Sequence, residues 1–129
     1  MKSLEFLKSI SNTTKLRLVS LLLNGELCVC ELEEITLIKQ VNISKNLISL
    51  KDSGIVEVRR HKQRGFYSIT NNFLSNTNLI IHIKDLLNVE EVLMDDYKEY
   101  IKHEEVKDDN IYVCHAFRNE ESKWKRHIK

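Results

Sequence analysis

Gln40-Val41-Asn42-Ile43-Ser44-Lys45-Asn46-Leu47-Ile48-Ser49-Leu50-Lys51-Asp52-Ser53-Gly54-Ile55-Val56 is the stretch that decides how this chain folds. Ile43, Leu47 and Leu50 recur at spacings of four and three, which makes one apolar stripe on a helix running from about residue 41 to 53. The opposite face presents Asn42, Lys45, Asn46 and Ser49. Gly54 follows the last turn, where a glycine most readily ends a helix. The period then changes. Residues 55–61, Ile-Val-Glu-Val-Arg-Arg-His, are rich in β-branched side chains and predict a strand. Lys62-Gln63-Arg64-Gly65 predicts a turn with Gly65 at a positive φ, and Phe66-Tyr67-Ser68-Ile69-Thr70 returns as a second strand. The result is a hairpin with a cationic tip.

Working outward, Leu4, Phe6, Leu7 and Ile10 predict a helix over residues 3–10. Asn12 or Thr13 caps a second helix carrying Leu16, Val19, Leu22 and Leu23, which Gly25 stops. A short third helix is expected over 29–35, with Glu31, Glu33 and Glu34 placed early, where negative charge suits the helix dipole. Beyond the hairpin, Leu79, Ile80, Ile83, Leu86 and Leu87 define a long helix over about 76–87. Val89, Val92, Leu93, Tyr97, Tyr100 and Ile101 define another over 89–103, acidic on its other side. Residues 104–129 read as a loose charged tail. The class is therefore mainly α with a small β-hairpin. The expected division is 1–88 for the principal domain and 89–129 for a C-terminal helix and tail.

Helix, short helix, turn, helix and basic hairpin, in that order, is a winged helix-turn-helix arrangement. The fourth helix packs by its apolar stripe, which leaves its polar face free to enter a major groove. Charge distribution supports this. Residues 39–70 hold seven cations against two anions, whereas residues 86–121 hold eleven anions against four cations, in a chain whose net charge is +1. A basic block in a near-neutral chain suits a polyanion partner, although a solvated face on a small α+β domain has the same composition. Candidate DNA-binding residues are Gln40, Asn42, Ser44, Lys45, Asn46 and Ser49 on the helix, and Arg59, Arg60, Lys62 and Arg64 on the hairpin. The helix amides suit base edges, and the hairpin cations suit phosphates.

At 129 residues the chain fits one small domain, and its 42% hydrophobic and 30% charged content is that of an ordinary soluble protein. No apolar run is long enough to span a bilayer. Met1-Lys2-Ser3 leads into a segment containing Glu5 and Lys8, unlike a secretory signal. The expected location is cytoplasmic, with no membrane partner. Three cysteines, an odd number, argue against a disulfide framework and for metal or redox chemistry.

The 40–56 block resembles the recognition-helix block of the ArsR/SmtB metalloregulators, with Ile43, Ser44, Lys45, Asn46, Leu47, Leu50 and Gly54 falling in turn on its pattern. Asn46 stands where histidine is commoner. Ser11-Asn12-Thr13-Thr14-Lys15-Leu16-Arg17-Leu18 resembles the start of the family's second helix, and the resemblance extends over about residues 3–88. Glu26-Leu27-Cys28-Val29-Cys30-Glu31-Leu32 is similar to the third-helix metal box of the family's arsenic and cadmium/lead sensors. Soft thiolates suit As(III), Cd(II) and Pb(II). Residues i and i+2 of a regular helix point about 200° apart. Two thiols at that spacing converge only if Cys28 precedes the helix and Cys30 lies in its first turn, where a helix N-terminus would also favour the thiolate.

As(III) usually takes three sulfurs. The third cysteine that some similar repressors carry is here Glu33, so Cys114, beside His115, is the remaining thiol; a small ligand is the alternative. The family's other metal site, on the long helix, needs a partner for His82 about ten residues on, where Leu93 stands. His61, His82, His103 and His127 are read as surface or packing residues. The resemblance implies a homodimeric repressor that leaves operator DNA when As(III) or Sb(III) binds its thiolates. Cd(II), Pb(II) or thiol oxidation are alternative triggers, and no constitutive cofactor is expected. Dimerisation would use Leu4, Leu7 and Ile10 with Leu79, Ile80, Ile83 and Leu87. From another class, a Cys-x-Cys supports a dithiol oxidoreductase. No thioredoxin-like pattern, nucleophile-base pair or Gly-rich phosphate loop accompanies it here, so no enzyme is expected.

Overall fold

The computed structural model describes residues 2–108. Helix α1 spans Lys2–Ser9 and α2 spans Thr13–Leu22; the two-residue strand β1, Leu27–Cys28, leads directly into α3, Val29–Thr36. Helix α4 is Gln40–Asp52, strands β2 and β3 are Val56–His61 and Arg64–Ile69, and α5, α6 and α7 are Asn71–Leu74, Thr77–Leu86 and Glu91–Asp108.

Local chemistry sets these boundaries. The Asn12 carboxamide caps α2 by accepting the Lys15 N–H at 2.7 Å. Helix α3 ends at Leu37, which takes a left-handed φ of 63° and donates its N–H to the Glu33 carbonyl at 2.8 Å. Gly54, at φ 79°, releases the chain from α4 into β2.

The sheet is antiparallel with strand order β1-β3-β2, and β2 and β3 form the wing, Arg60 facing Gly65 and His61 facing Arg64. The turn differs from the sequence expectation. Lys62, not Gly65, takes the positive φ (56°), and Gly65 lies inside β3. Gly65 provides space instead of a turn: a Cβ there would lie 3.0 Å from Arg60 Nη1 and 3.1 Å from Val58 Cγ2.

One apolar core joins the elements. Leu18, Leu32, Ile43, Leu47, Leu50, Ile55 and Phe73 are fully enclosed, and Phe6 of α1 meets Phe73 edge-on at a centroid distance of 5.1 Å. Helix α7 packs against α2 and α3, burying Leu93 and resting Tyr100 on the core, and adds ion pairs to these apolar contacts. Arg17 of α2 grips Asp96 through Nε at 2.8 Å and Nη2 at 2.9 Å, and its Nη2 also donates to the Thr36 carbonyl. Residues 104–108, expected in the tail, form the last turns of α7; residues 109–129, including Cys114, lie outside the described residues.

Of the residues expected at a dimer interface, Ile10, just after α1, and Ile80 and Ile83 of α6 are buried in this chain's own core. Leu79 and Leu87 are half-buried, whereas Leu4 and Leu7 are about half exposed. Ile81 and Leu74 join them on the surface.

Candidate nucleic-acid interface and thiol site

Helix α4 presents two opposed faces. Ile43, Leu47 and Leu50 are sealed in the core, while Val41, Asn42 and Lys45 are exposed, with Gln40, Ser44, Asn46 and Ser49 half-buried beside them. The start of α4 is tied to α3. Glu33 accepts the Gln40 side-chain amide at 2.9 Å and the Gln40 backbone N–H at 3.3 Å. Glu33 thus ties the start of α4 to α3. Further along, Asn46 Nδ2 donates to the Asn42 carbonyl at 2.8 Å and to its Oδ1 at 2.9 Å.

On the wing, Arg60 and Lys62 are exposed and Arg64 is half-buried. Arg59 is exposed but tied down: it pairs with Glu26 (Nη2–Oε1 2.7 Å, Nε–Oε2 3.1 Å) and lies over the Phe66 ring, 4.9 Å from its centroid. The Glu26 hydrogen bond raises the guanidinium's pKa and lowers that of the carboxyl.

Cys28 ends β1, pairs across the sheet with Phe66 and stands at the N-cap of α3; Cys30 follows in the first turn. Both are buried, at 3% and 6% exposure, and pack together against Phe66. Cys28 is a free thiol, whereas Cys30 is disulfide-bonded, so the two are not joined to each other. The expectation that a helix N-terminus favours the thiolate fails for Cys28. Burial first, and the neighbouring Glu31 charge second, push this thiol up; the Glu31 backbone N–H and Arg64 only partly offset them. The expectation against disulfide bonding also fails, at Cys30.

Behind the thiols lies a buried charge cluster. Glu31, 4% exposed, accepts the Cys28 N–H at 3.1 Å through Oε1, and its Oε2 meets His103 Nε2 at 2.7 Å and Lys107 Nζ at 2.8 Å. Burial alone would push the Glu31 pKa up. Hydrogen bonds from His103, Lys107 and the Cys28 N–H, with the Lys107 charge, outweigh burial and hold it at about 2. His103, read from sequence as a surface or packing residue, is the buried partner that joins α7 to α3. It lies 72 positions beyond Glu31 in the sequence, and no local pattern signals the pair.

A cavity of about 440 Å³ joins the two candidate sites. Cys28 and Cys30 lie on one wall, Gln40, Ser44 and Lys51 of α4 on another, and Arg60 and Arg64 of the wing on a third. Among the described residues, no group of three or more His, Cys, Asp or Glu side chains is placed to hold a metal ion. No helix among them is long and apolar enough to cross a membrane.

A tri-helical core with a grooved-in fourth helix and a basic wing defines the winged helix-turn-helix class. The family profile described as "Bacterial regulatory protein, arsR family" matches residues 12–58. The arsenical resistance operon repressor of Staphylococcus xylosus is 35% identical over 82 residues, covering 61% of this chain and 79% of that protein. The biofilm growth-associated repressor of Xylella fastidiosa is 44% identical over 64 residues, which are 50% of this chain and only 56% of that protein. Among solved structures, the homodimeric winged helix-turn-helix DNA-binding domain of Mb0332 from Mycobacterium bovis aligns with a TM-score of 0.57 and 28% identity, covering 66% of this chain and 80% of that one. The chain belongs to the ArsR family, whose members are transcriptional regulators and not enzymes.

Proposed function

We propose that this protein is a homodimeric repressor that binds operator DNA through α4 and the wing and is released by thiol chemistry at Cys28 and Cys30. The observation that carries the reading is the shared cavity: the two cysteines line the same space as Gln40, Ser44, Arg60 and Arg64. The effector is As(III) or Sb(III), with Cd(II) and Pb(II) as softer-ion alternatives; the arsenical resistance repressor among its relatives supports this choice. Cys28 and Cys30 would supply two thiolates once Cys30 is reduced. The third donor would be Cys114, which lies outside the described residues, or a small ligand.

The coupling route is short. Drawing the two sulfurs together shifts the N-terminus of α3, and α3 holds the start of α4 through Glu33 and Gln40. Cys28 also faces Phe66 of the wing strand. A two-fold dimer must present its recognition helices about 34 Å apart, so a small rotation of α4 suffices. The coupling required is on the order of 1–3 kcal/mol. The exposed Leu4, Leu7 and Ile81 offer apolar surface for a second copy.

A second reading is favoured by one observation: Cys30 is disulfide-bonded. In that reading oxidation, not metal binding, sets the operator affinity. The test uses duplexes enriched from a random library by the wild-type protein. Arsenite added to reduced protein should release the duplex, while Cys28→Ser and Cys30→Ser still bind but no longer respond. Release by peroxide alone would transfer the role to oxidation. Variants that respond like wild type to both reagents would remove the cysteines from the mechanism.

A further inference from the structure

Val41 is the second residue of α4 and is 83% exposed. Among the described residues, nothing packs on Val41 to explain an apolar side chain there. A β-branched residue lowers helix propensity, and the first turn of a helix favours acidic or capping residues. Nor does Val41 contribute to the core, which Ile43, Leu47 and Leu50 fill from the other face. Its surroundings are polar and cationic: Gln40 and Asn42 flank it, and Lys45 stands one turn on. The surrounding block of residues 39–70 carries seven cations against two anions, which suits a polyanion and not an apolar protein surface.

On the edges of base pairs in a major groove, the apolar group on offer is the C5-methyl of thymine. Recognition helices enter that groove by their N-terminal residues, which is where Val41 stands. The neighbouring amides complete the pattern. Asn46 Nδ2 is spent on the Asn42 carbonyl and Oδ1. This turns the Asn42 oxygen along the helix toward Asn46 and leaves Asn42 Nδ2 as a donor and Asn46 Oδ1 as an acceptor. An adenine edge offers the complementary N7 acceptor and N6 donor. The methyl and that edge belong to the same base pair.

We propose that Val41 is a specificity-determining residue that reads a thymine methyl, with Asn42 and Asn46 engaging the same A·T pair. The proposal rests on the reading of α4 as the DNA-facing helix. Val41 adds sequence choice at a position where the cations supply only affinity.

The experiment selects duplexes from a random library with wild type, Val41→Ala and Val41→Ser. It then measures binding to the wild-type consensus with each thymine replaced in turn by uracil, which removes only the methyl group. Wild type should lose about fourfold affinity at one thymine per half-site, the factor for one buried methyl. Val41→Ser should be indifferent to that replacement and should relax its preference at that position, with Val41→Ala intermediate. Identical selected sequences for wild type and Val41→Ser would overturn the proposal, as would equal responses to every uracil replacement. A wild-type protein that enriches no duplex would instead overturn the assignment of α4 to DNA, a separately readable failure.

Discussion

The two sides of α3 use charge in opposite ways. Toward α7, charges are paired and enclosed: Glu31 with His103 and Lys107, and near the end of α3 Arg17 with Asp96. Toward α4 and the wing, Lys45, Arg60 and Lys62 point outward into solvent. Burial decides what each charge does. An enclosed carboxylate must be matched by donors or it is costly, so the α7 side is a fixed clasp. Exposed cations are solvated at little cost and are available to phosphates. The cysteines lie between the two, with Cys28 donating its N–H to the clasp and both lining the cavity on the open side.

The contrast is broken most severely at Glu31. Replacing Glu31→Gln removes the negative partner of buried His103 and half-buried Lys107 and should cost about 3 kcal/mol of stability, measured by urea unfolding at neutral pH. The pH dependence has a definite sign. The folded Glu31 pKa is held at about 2, below its ordinary value of 4.5. Its stabilisation is therefore fully present above 4.5 and is lost as pH falls toward 2. Lys107 is shifted upward, so its share is intact at neutral pH and disappears only on the alkaline side. The gap between wild type and Glu31→Gln should thus narrow in acid. A gap that stays constant down to pH 2 would show that Glu31 is not held as a carboxylate by the clasp.

How much of this contrast the sequence displays depends on the range of the interaction. The stripe of Ile43, Leu47 and Leu50, the Asn12 cap and the Gly54 stop are local, and each is visible within one or two helical turns. The outward cations are equally legible, because a basic block requires no partner in the chain. The clasp is not. Glu31 looks like any acidic residue in a first turn, and His103 sits in a helix whose composition suggests a solvated face; only the folded chain brings them to 2.7 Å. Strand β1 has two residues, too few to show alternation, and exists because β3 pairs with it. The role of Gly65 is hidden for a related reason. A glycine near a turn suggests positive φ, whereas here the constraint is the Arg60 side chain across the ladder.

The outward side is sharpened by salt dependence. Lys45→Ala and Arg60→Ala should each reduce the slope of log affinity against log salt by about 1, with stability little changed. Lys107→Ala should do the reverse, lowering stability through Glu31 while leaving the slope unchanged. A Lys107 variant that altered the salt slope would mean that α7 also approaches the DNA, and the division between the two sides would fail.

The smallest effect is expected at Glu26 and Arg59, where the two modes meet. Arg59 belongs to the basic wing, yet it is bidentate to Glu26 and covers Phe66, the ring that packs on both cysteines. Its side chain remains 56% exposed, and pairs this open contribute little to stability. Glu26→Gln should therefore leave unfolding nearly unchanged. What it changes is the guanidinium's alternatives. With its carboxylate partner gone, Arg59 can turn to phosphate, and the salt slope should steepen by up to about 1. If the slope is unaffected, Arg59 is held in place by stacking on Phe66 and serves as a cover for the thiols, which places it with the clasp and not with the outward cations.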